Sequence, residues 1–202
     1  MRTPAPALLP IFRSAHQAAL LTWLYLRPGE EFTLSDLSRR LGVSGGSLHA
    51  EVERLVAAGL IIDRRVGRNR MIQANTATRT VRALTELLTV TYGPQVVIAE
   101  EFADLPGVEL VLIYGSWARR FRGEVGREPA DVDVMVVGSV DRDSVYEAAE
   151  RAERRLELPV NTTVRSVAAW RKEADALVLT AKPDAVTVVD HTRATPSEGD
   201  VS

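Results

Sequence analysis

The sequence of 202 residues contains no cysteine, which excludes disulfide bonds and any metal site built on thiolates. Its three histidines, at positions 16, 49 and 191, are too scattered to form a metal cluster. No apolar run is long enough to span a membrane, so we expect no transmembrane helix. Because a chain without cysteine suits a reducing compartment, we expect a cytoplasmic protein.

Both ends of the sequence lack the pattern of a folded element. Three prolines interrupt the short apolar stretch MRTPAPALLPIF, and no small-residue cleavage site of a signal peptide follows it. We therefore interpret residues 1–11 as a flexible arm. Residues 191–202 are polar and contain Pro, Ser and Gly, which predicts a disordered tail.

The net charge is only −2, but the charge is unevenly distributed. Residues 1–92 hold twelve arginines, no lysine and seven acidic residues, which gives +5. Residues 93–202 hold thirteen basic and twenty acidic residues, which gives −7. A basic half joined to an acidic half suggests that the first half meets nucleic acid.

Three short helices are predicted in the first half. Residues 14–27 place an apolar stripe on one helical face, and the residues from Thr33 to Asp36 form a capping box that opens a second helix. Gly42 ends that helix, and Ser44 caps a third one with its own apolar stripe. Two short helices joined by a glycine-containing turn indicate a helix-turn-helix.

A basic hairpin follows the third helix. Two β-prone runs, residues 60–62 and 71–74, flank a turn with Gly67 at its tip. The intervening segment carries four arginines, Arg64, Arg65, Arg68 and Arg70. A helix-turn-helix followed by a basic hairpin resembles winged-helix regulators of the ArsR and MarR kind over about residues 12–90, and we assign residues 12–75 to a winged-helix domain.

This resemblance implies binding to a double-stranded DNA operator. Ser44, Ser47 and His49 would reach base edges in the major groove from the start of the recognition helix, while the four hairpin arginines would meet phosphate or the minor groove. The small residues at the helix start would let the backbone approach DNA closely. The alternative is a protein-interaction module with solvated arginines and a histidine without a role.

The segment from 76 to 94 is predicted to be a connecting helix. Its apolar face comprises Val81, Leu84, Leu87 and Leu88. In winged-helix regulators a helix after the wing commonly forms the dimer contact, so we expect a homodimer on a two-fold operator. The alternative is that this stripe packs on its own domain.

The second half contains a separate constellation of polar residues. A buried strand over residues 108–114 leads into Gly115 and Ser116, and a second buried strand begins at Asp131. Alternation places Asp131 and Asp133 on one face, where two neighbouring carboxylates call for a cation such as Mg²⁺. The Gly-Ser turn offers N–H groups to phosphate, and Arg119 and Arg120 follow one turn later.

The order of strand, Gly-Ser, helix and Asp-x-Asp strand resembles minimal forms of the DNA polymerase β-like nucleotidyltransferase superfamily, over about residues 95–190. The expected fold is α+β, a winged helix followed by a small α/β nucleotidyltransferase-like domain with a mixed sheet. The resemblance implies that Asp131 and Asp133 are catalytic and bind Mg²⁺. It also implies that nucleoside triphosphate contacts a second set of residues, Gly115, Ser116, Arg119 and Arg120. The alternative is an unrelated α/β domain with a solvated acidic pair.

One departure from the superfamily pattern bears on catalysis. The superfamily uses a third carboxylate on a later strand, and Asn161 stands at that place in the predicted strand 158–165. An amide oxygen can ligate Mg²⁺, so Asn161 is expected to join Asp131 and Asp133 as a metal ligand, but it is no base at neutral pH. We favour a regulator whose second domain binds metal and nucleotide with weakened catalysis. The alternative is an active enzyme in which Glu157 or Glu173 substitutes and NMP passes to a protein or RNA acceptor, in an antitoxin-like pairing.

Overall fold

The computed structural model describes residues 11–124, 126–127, 129–172 and 175–192. The chain divides into two compact units, Met1–Gly93 and Pro94–Ser202. Most of the predicted N-terminal arm and tail, and Glu173, therefore lie outside the described residues. Within the described part, no helix is both long enough and apolar enough to cross a membrane.

The helices of the first unit begin where the sequence places capping side chains. The elements are α1 (Ala15–Tyr25), β1 (Phe32–Thr33), α2 (Leu34–Leu41) and α3 (Gly45–Ala57). The hydroxyl of Thr33 accepts a bond from the Asp36 N–H at 3.1 Å and donates to the Asp36 carboxylate at 2.7 Å. The hydroxyl of Ser44 accepts from the Ser47 N–H at 3.4 Å. Both predicted caps are confirmed, and each satisfies an N–H that the helix leaves unpaired.

A β-hairpin completes the winged helix. Strands β2 (Ile61–Val66) and β3 (Asn69–Ala74) pair antiparallel, and Gly67 at the tip has a φ of +60°, which favours glycine. Strand β1 pairs with the other edge of β3, so the order is β1-β3-β2. Strand β1 was not predicted, because its two residues are too few to show alternation and their pairing depends on β3, some forty residues away.

The next helix begins later than predicted. Helix α4 spans Val81–Tyr92, whereas residues 76–80 form turns in which the Asn75 side chain accepts a bond from the Ala77 N–H at 3.1 Å. Leu88 is fully buried in the core of this unit, and Val81 and Leu84 pack against that core. The structure thus supports the alternative in which the apolar stripe packs on its own domain.

The second unit is built on a four-stranded mixed sheet, as predicted. Its order is β6-β5-β4-β7, in which β5 and β6 run parallel and the other pairs run antiparallel. The elements in chain order are α5 (Pro94–Phe102), β4 (Val108–Tyr114), α6 (Gly115–Phe121), β5 (Val132–Gly138), α7 (Arg142–Leu156), β6 (Val160–Arg165), α8 (Val167–Lys172), α9 (Ala176–Ala181) and β7 (Val186–Asp190).

The two faces of this sheet are covered differently. Helices α5 and α7 cover one face with the larger core, which includes Val132, Val134 and Val136 of β5. The alternate residues Met135 and Val137 point to a smaller cluster that contains residues of α8 and α9. Asp133 follows the same alternation as Met135, so it lies on the thinly covered face.

Two strand boundaries and one helix in this unit differ from the predictions. Strand β5 begins at Val132, so Asp131 precedes the strand instead of opening it, and β6 begins at Val160 instead of residue 158. Helix α9 was not predicted; Asp175 caps it by accepting a bond from the Leu177 N–H at 2.8 Å. Asp141 caps α7 in the same way through the Ser144 N–H at 2.8 Å.

Candidate functional site

The start of α3 is exposed on one side, and the other side of the helix is buried in the core. Leu48, Val52 and Leu55 anchor the helix in the core, while the residues predicted to face DNA, Ser44, Ser47 and His49, are exposed. Ser44 is also the helix cap, and its hydroxyl donates to the Ser47 hydroxyl at 3.0 Å. The structure therefore brings Ser44 and Ser47 together at the start of the helix, whereas His49 lies in the next turn, 3.8 Å from the Glu53 carboxylate.

Two glycines in that turn have no packing reason to be glycine. A Cβ atom built on Gly45 or Gly46 meets nothing within 4 Å, and neither residue has a positive φ. Glycine disfavours a helix by up to about 1 kcal/mol relative to alanine. No contact or backbone conformation in the described fold compensates for this cost at Gly45 or Gly46. A surface that must let another molecule approach the backbone would account for them.

The four predicted wing arginines fall into two pairs. Arg64 donates to Glu31 through two bonds of 2.6 and 2.5 Å. Arg70 binds Asp63 at 2.6 Å and also binds Glu53. By contrast, the side chains of Arg65 and Arg68 are exposed and form no ion pair or hydrogen bond with any residue that the structure describes.

A buried carboxylate in α3 was not anticipated by the sequence analysis. Glu51 is only 3% exposed, and it accepts bonds from Arg54 at 2.5 Å and from Gln17 of α1 at 2.8 Å. Burial alone would raise the pKa of Glu51, but these donors and the nearby Arg13 lower it below its ordinary value. Glu51 thus remains charged and ties the recognition helix to α1. The only sequence signal was an acidic residue within the apolar stripe.

In the second unit, three polar residues meet at one edge of the sheet. Asp133 on β5 pairs in register with Asn161 on β6 and with Tyr114 on β4. The Asn161 side-chain N–H₂ donates to Asp131 at 3.0 Å and to Asp133 at 3.2 Å. The residue identified from the sequence as standing in place of a third acid therefore lies against both aspartates.

The turn after β4 approaches Asp133 closely. Gly115 has a φ of +73°, and a Cβ atom placed there would lie 2.5 Å from a carboxylate oxygen of Asp133. Any side chain at this position would displace the carboxylate, so glycine is required for both conformation and space. This contact joins the Gly-Ser and Asp-x-Asp motifs that the sequence separates by a helix and a loop.

The surroundings of Asp133 disfavour its charged form. Burial and the neighbouring charge of Asp131 raise the pKa of Asp133 above its ordinary value, although the bond from Asn161 acts in the opposite direction. No group of three His, Cys, Asp or Glu side chains that could hold a metal occurs among the described residues. Two carboxylates are within the number that Mg²⁺ commonly takes from a protein, its other ligands being water and substrate phosphates.

The predicted phosphate-binding arginines, on α6, have a partner in the segment that follows this helix. Arg119 lies 3.5 Å from the Glu124 carboxylate, and Arg120 donates to the Glu124 carbonyl at 2.7 Å. Trp117 is buried and stacks on Phe121 with a centroid distance of 5.1 Å. The structure thus places Trp117 in the core beside Gly115 and Ser116, which argues against a role as an exposed base-stacking platform.

Comparison with known proteins identifies the first unit. Residues 13–70 match the model of the MarR family. The N-terminal part of the chain is a MarR-family winged-helix domain. This match supports DNA binding and transcription regulation as the function of the MarR-family domain, and it covers α1 to the beginning of β3.

Several solved structures resemble part of the chain. Reduced HlyU from Vibrio cholerae N16961 is 25% identical, over 42% of this chain and 84% of its own, with a TM-score of 0.35. MepR, a transcription regulator of the Staphylococcus aureus multidrug efflux pump MepA, is 21% identical, over 41% of this chain and 60% of its own, with a TM-score of 0.35. A mutant of the toxin-antitoxin MntA-HpeT is 16% identical, over 48% of this chain and 72% of its own, with a TM-score of 0.34. No curated protein matches the chain.

Proposed function

We propose that the protein is a dimeric transcription regulator that reads a two-fold operator with the first turn of α3 and the hairpin, and that its second domain is a nucleotidyltransferase-like module binding Mg²⁺ and nucleotide. The observation that carries the DNA-reading part is the exposed turn at Gly45 and Gly46, which has no internal need for glycine. The observation that carries the second part is the Asp131, Asp133 and Asn161 cluster against Gly115.

The Gly46→Ala variant tests the DNA-reading surface. Inside the domain the added methyl group has open space and favours helix, so thermal stability should stay level or rise. At the DNA surface the same methyl group would hold the backbone away, and we expect affinity to fall about tenfold, a loss of about 1.4 kcal/mol.

Fluorescence anisotropy measures this affinity with two probes, a duplex selected from a randomised 30-base-pair library and an unselected duplex. Sedimentation of the selected complex should show two chains per duplex. A variant that keeps wild-type affinity would sink the proposal that this turn contacts DNA. A selected sequence without two-fold symmetry would contradict the dimeric reading.

The second domain should bind magnesium nucleotide through the two aspartates. Bound Mg²⁺ would supply charge neutralisation for the phosphates, and Asp131 and Asp133 would hold it. Asn161 donates its N–H₂ to both carboxylates. Because it is an amide, it offers neither a third negative charge nor a base. We therefore propose binding with weakened catalysis.

Calorimetry with ATP or GTP, with and without Mg²⁺, tests this binding. We expect Mg²⁺-dependent binding to the wild type, a loss of at least tenfold in Asp133→Asn, and tighter binding by Asn161→Asp, which adds a carboxylate. Asp190→Asn, on the opposite edge strand, serves as the control. Binding that is unchanged in Asp133→Asn would contradict the proposed site.

An active nucleotidyltransferase is the second candidate, and the close approach of Gly115 to Asp133 favours it. Of the acids that were expected to substitute for the third carboxylate, Glu157 ends α7 with a φ of +50° and Glu173 lies outside the described residues. Labelled NTPs, Mg²⁺ and cell lysate distinguish the two candidates. Label transfer that requires Asp131 and Asp133 in the otherwise wild-type protein would favour the enzyme.

A further inference from the structure

Arg70 occupies a bridging position between three elements of the MarR-family domain. Its Nε atom donates to the Asp63 carboxylate on β2 at 2.6 Å, while one terminal nitrogen donates to the Glu53 carboxylate on α3. Its side chain is only 22% exposed. The guanidinium group is thus occupied by two carboxylates at once and joins the wing to the recognition helix.

The register of the hairpin explains why Arg70 needs these partners. Arg65 and Arg70 are directly opposite each other on β2 and β3, where two like charges on one face destabilise a hairpin. Glu53 and Asp63 neutralise Arg70 and raise its pKa, whereas Arg65 has no ion pair among the described residues. The two opposed arginines therefore differ in charge available to a ligand.

A planar guanidinium is suited to this bridge and an ammonium is not. The donors of arginine point in fixed directions, so one side chain can bind two carboxylates from different elements. Lysine carries the same charge on a single nitrogen, which serves well for a phosphate but poorly for two separated partners. Arginine and lysine at position 70 therefore distinguish a bridge from a phosphate contact.

We propose that Arg70, through Glu53, is a positioning residue that fixes the wing relative to the recognition helix, and that the wing contacts DNA phosphate through Arg65 and Arg68. The inference rests on the proposed DNA binding of this domain. It assigns different roles to residues of one basic hairpin. It also gives Glu53, an exposed acid on the recognition helix, a structural reason to be there.

The experiment measures affinity against salt for the full-length protein, with the selected and the unselected duplex described above. Arg65→Ala and Arg68→Ala should each reduce the magnitude of the slope of log affinity against log salt by about 0.9. Each should weaken binding to the selected and the unselected duplex alike. Arg68→Lys should behave as the wild type. Arg70→Lys should leave the slope unchanged but lower the preference for the selected duplex several-fold.

Glu53→Gln tests the same ion pair from its acidic side. It should reproduce the loss of preference seen in Arg70→Lys, and the double variant should be no worse than Arg70→Lys alone, because both changes remove the Glu53–Arg70 contact. A reduced slope in Arg70→Ala together with wild-type behaviour of Arg70→Lys would overturn the proposal and make Arg70 a phosphate contact. Additive losses in the double variant would overturn it as well.

The failure of DNA binding itself gives a different result. If the wild type binds neither duplex, the proposed function fails. The bridge is then measured by thermal unfolding of the wild type, Arg70→Lys, Glu53→Gln and the double variant. Non-additive shifts of the melting temperature support the Glu53–Arg70 bridge, whereas additive shifts overturn it.

Discussion

At the scale of single residues, Asp133 shows how a candidate site differs from the surrounding fold. It lies on a strand whose alternate residues form the main core, yet its own face is thinly covered and shared with Asp131. Burial and like charge raise its pKa, so the charged form is less stable in the folded protein than in water. A carboxylate whose charged form is disfavoured and that lies against the Gly115 turn supports the cation site proposed above.

The lower stability of the charged Asp133 in the fold predicts that Asp133→Asn stabilises the second domain at neutral pH. Because the folded pKa is raised, wild-type stability declines as pH increases from the ordinary aspartate range through that folded pKa. We expect the melting temperature to increase on the order of 2 °C at pH 7, a small gain because Asp133 is partly exposed. The gain should vanish at a pH below about 3.9, where the wild-type carboxyl is also protonated.

Asp141→Asn is the control with the opposite sign. Bonds from the Ser144 N–H and hydroxyl, at the start of α7, lower the pKa of Asp141, so its charged form stabilises the fold at neutral pH. Its replacement should decrease the melting temperature at pH 7. A decrease in both variants would show that Asp133 acts as a structural acid and not as a strained site residue.

Residue identities at the second site followed from the sequence, but their contacts did not. The expectation that Asn161 stands beside the aspartates agrees with its register to Asp133. The direction of its amide, donating to both carboxylates, depends on the positions of two strands and has no local signal. In the same way, the arginine content of the hairpin was visible, whereas the neutralisation of Arg64 and Arg70 depends on acids elsewhere in the fold.

At the scale of elements, local signals predicted helix starts well. The caps at Thr33, Ser44 and Asp141 act on N–H groups within three residues, so the sequence contains all the information they need. Strand β1 and helix α9 were missed because each is short and is stabilised by distant partners. Helix α4 was predicted too long, since the turns at residues 76–80 are defined by the side chain of Asn75.

Helix α4 also shows that an apolar stripe does not by itself identify an interface. Leu88 is fully buried within its own unit, and Val81 and Leu84 pack against the same core. The exposed residues of this helix are mainly polar or small, with Val90 as the large apolar exception at 59% exposure. A dimer contact through α4 would therefore use a different face from the one that the sequence pattern favoured.

At the scale of the whole molecule, the charge separation follows the division into two units. The basic excess of residues 1–92 belongs to the first unit, which contains the MarR-family domain, and the acidic excess belongs to the second unit. An acidic domain gains nothing from DNA phosphate. Its proposed ligand, a magnesium nucleotide, would act on the regulator only if binding at one domain changes the free energy of binding at the other.

Such coupling predicts a reciprocal effect. If magnesium nucleotide changes the affinity for the selected duplex by a given factor, the duplex must change the affinity for nucleotide by the same factor, typically about 5- to 150-fold. Anisotropy with and without saturating Mg²⁺-ATP measures the first factor, and calorimetry with and without duplex measures the second. Asp133→Asn should abolish both effects while leaving DNA affinity in the absence of nucleotide unchanged. Equal DNA affinities with and without nucleotide, in a protein that binds both, would show that the second domain does not regulate the first through this ligand.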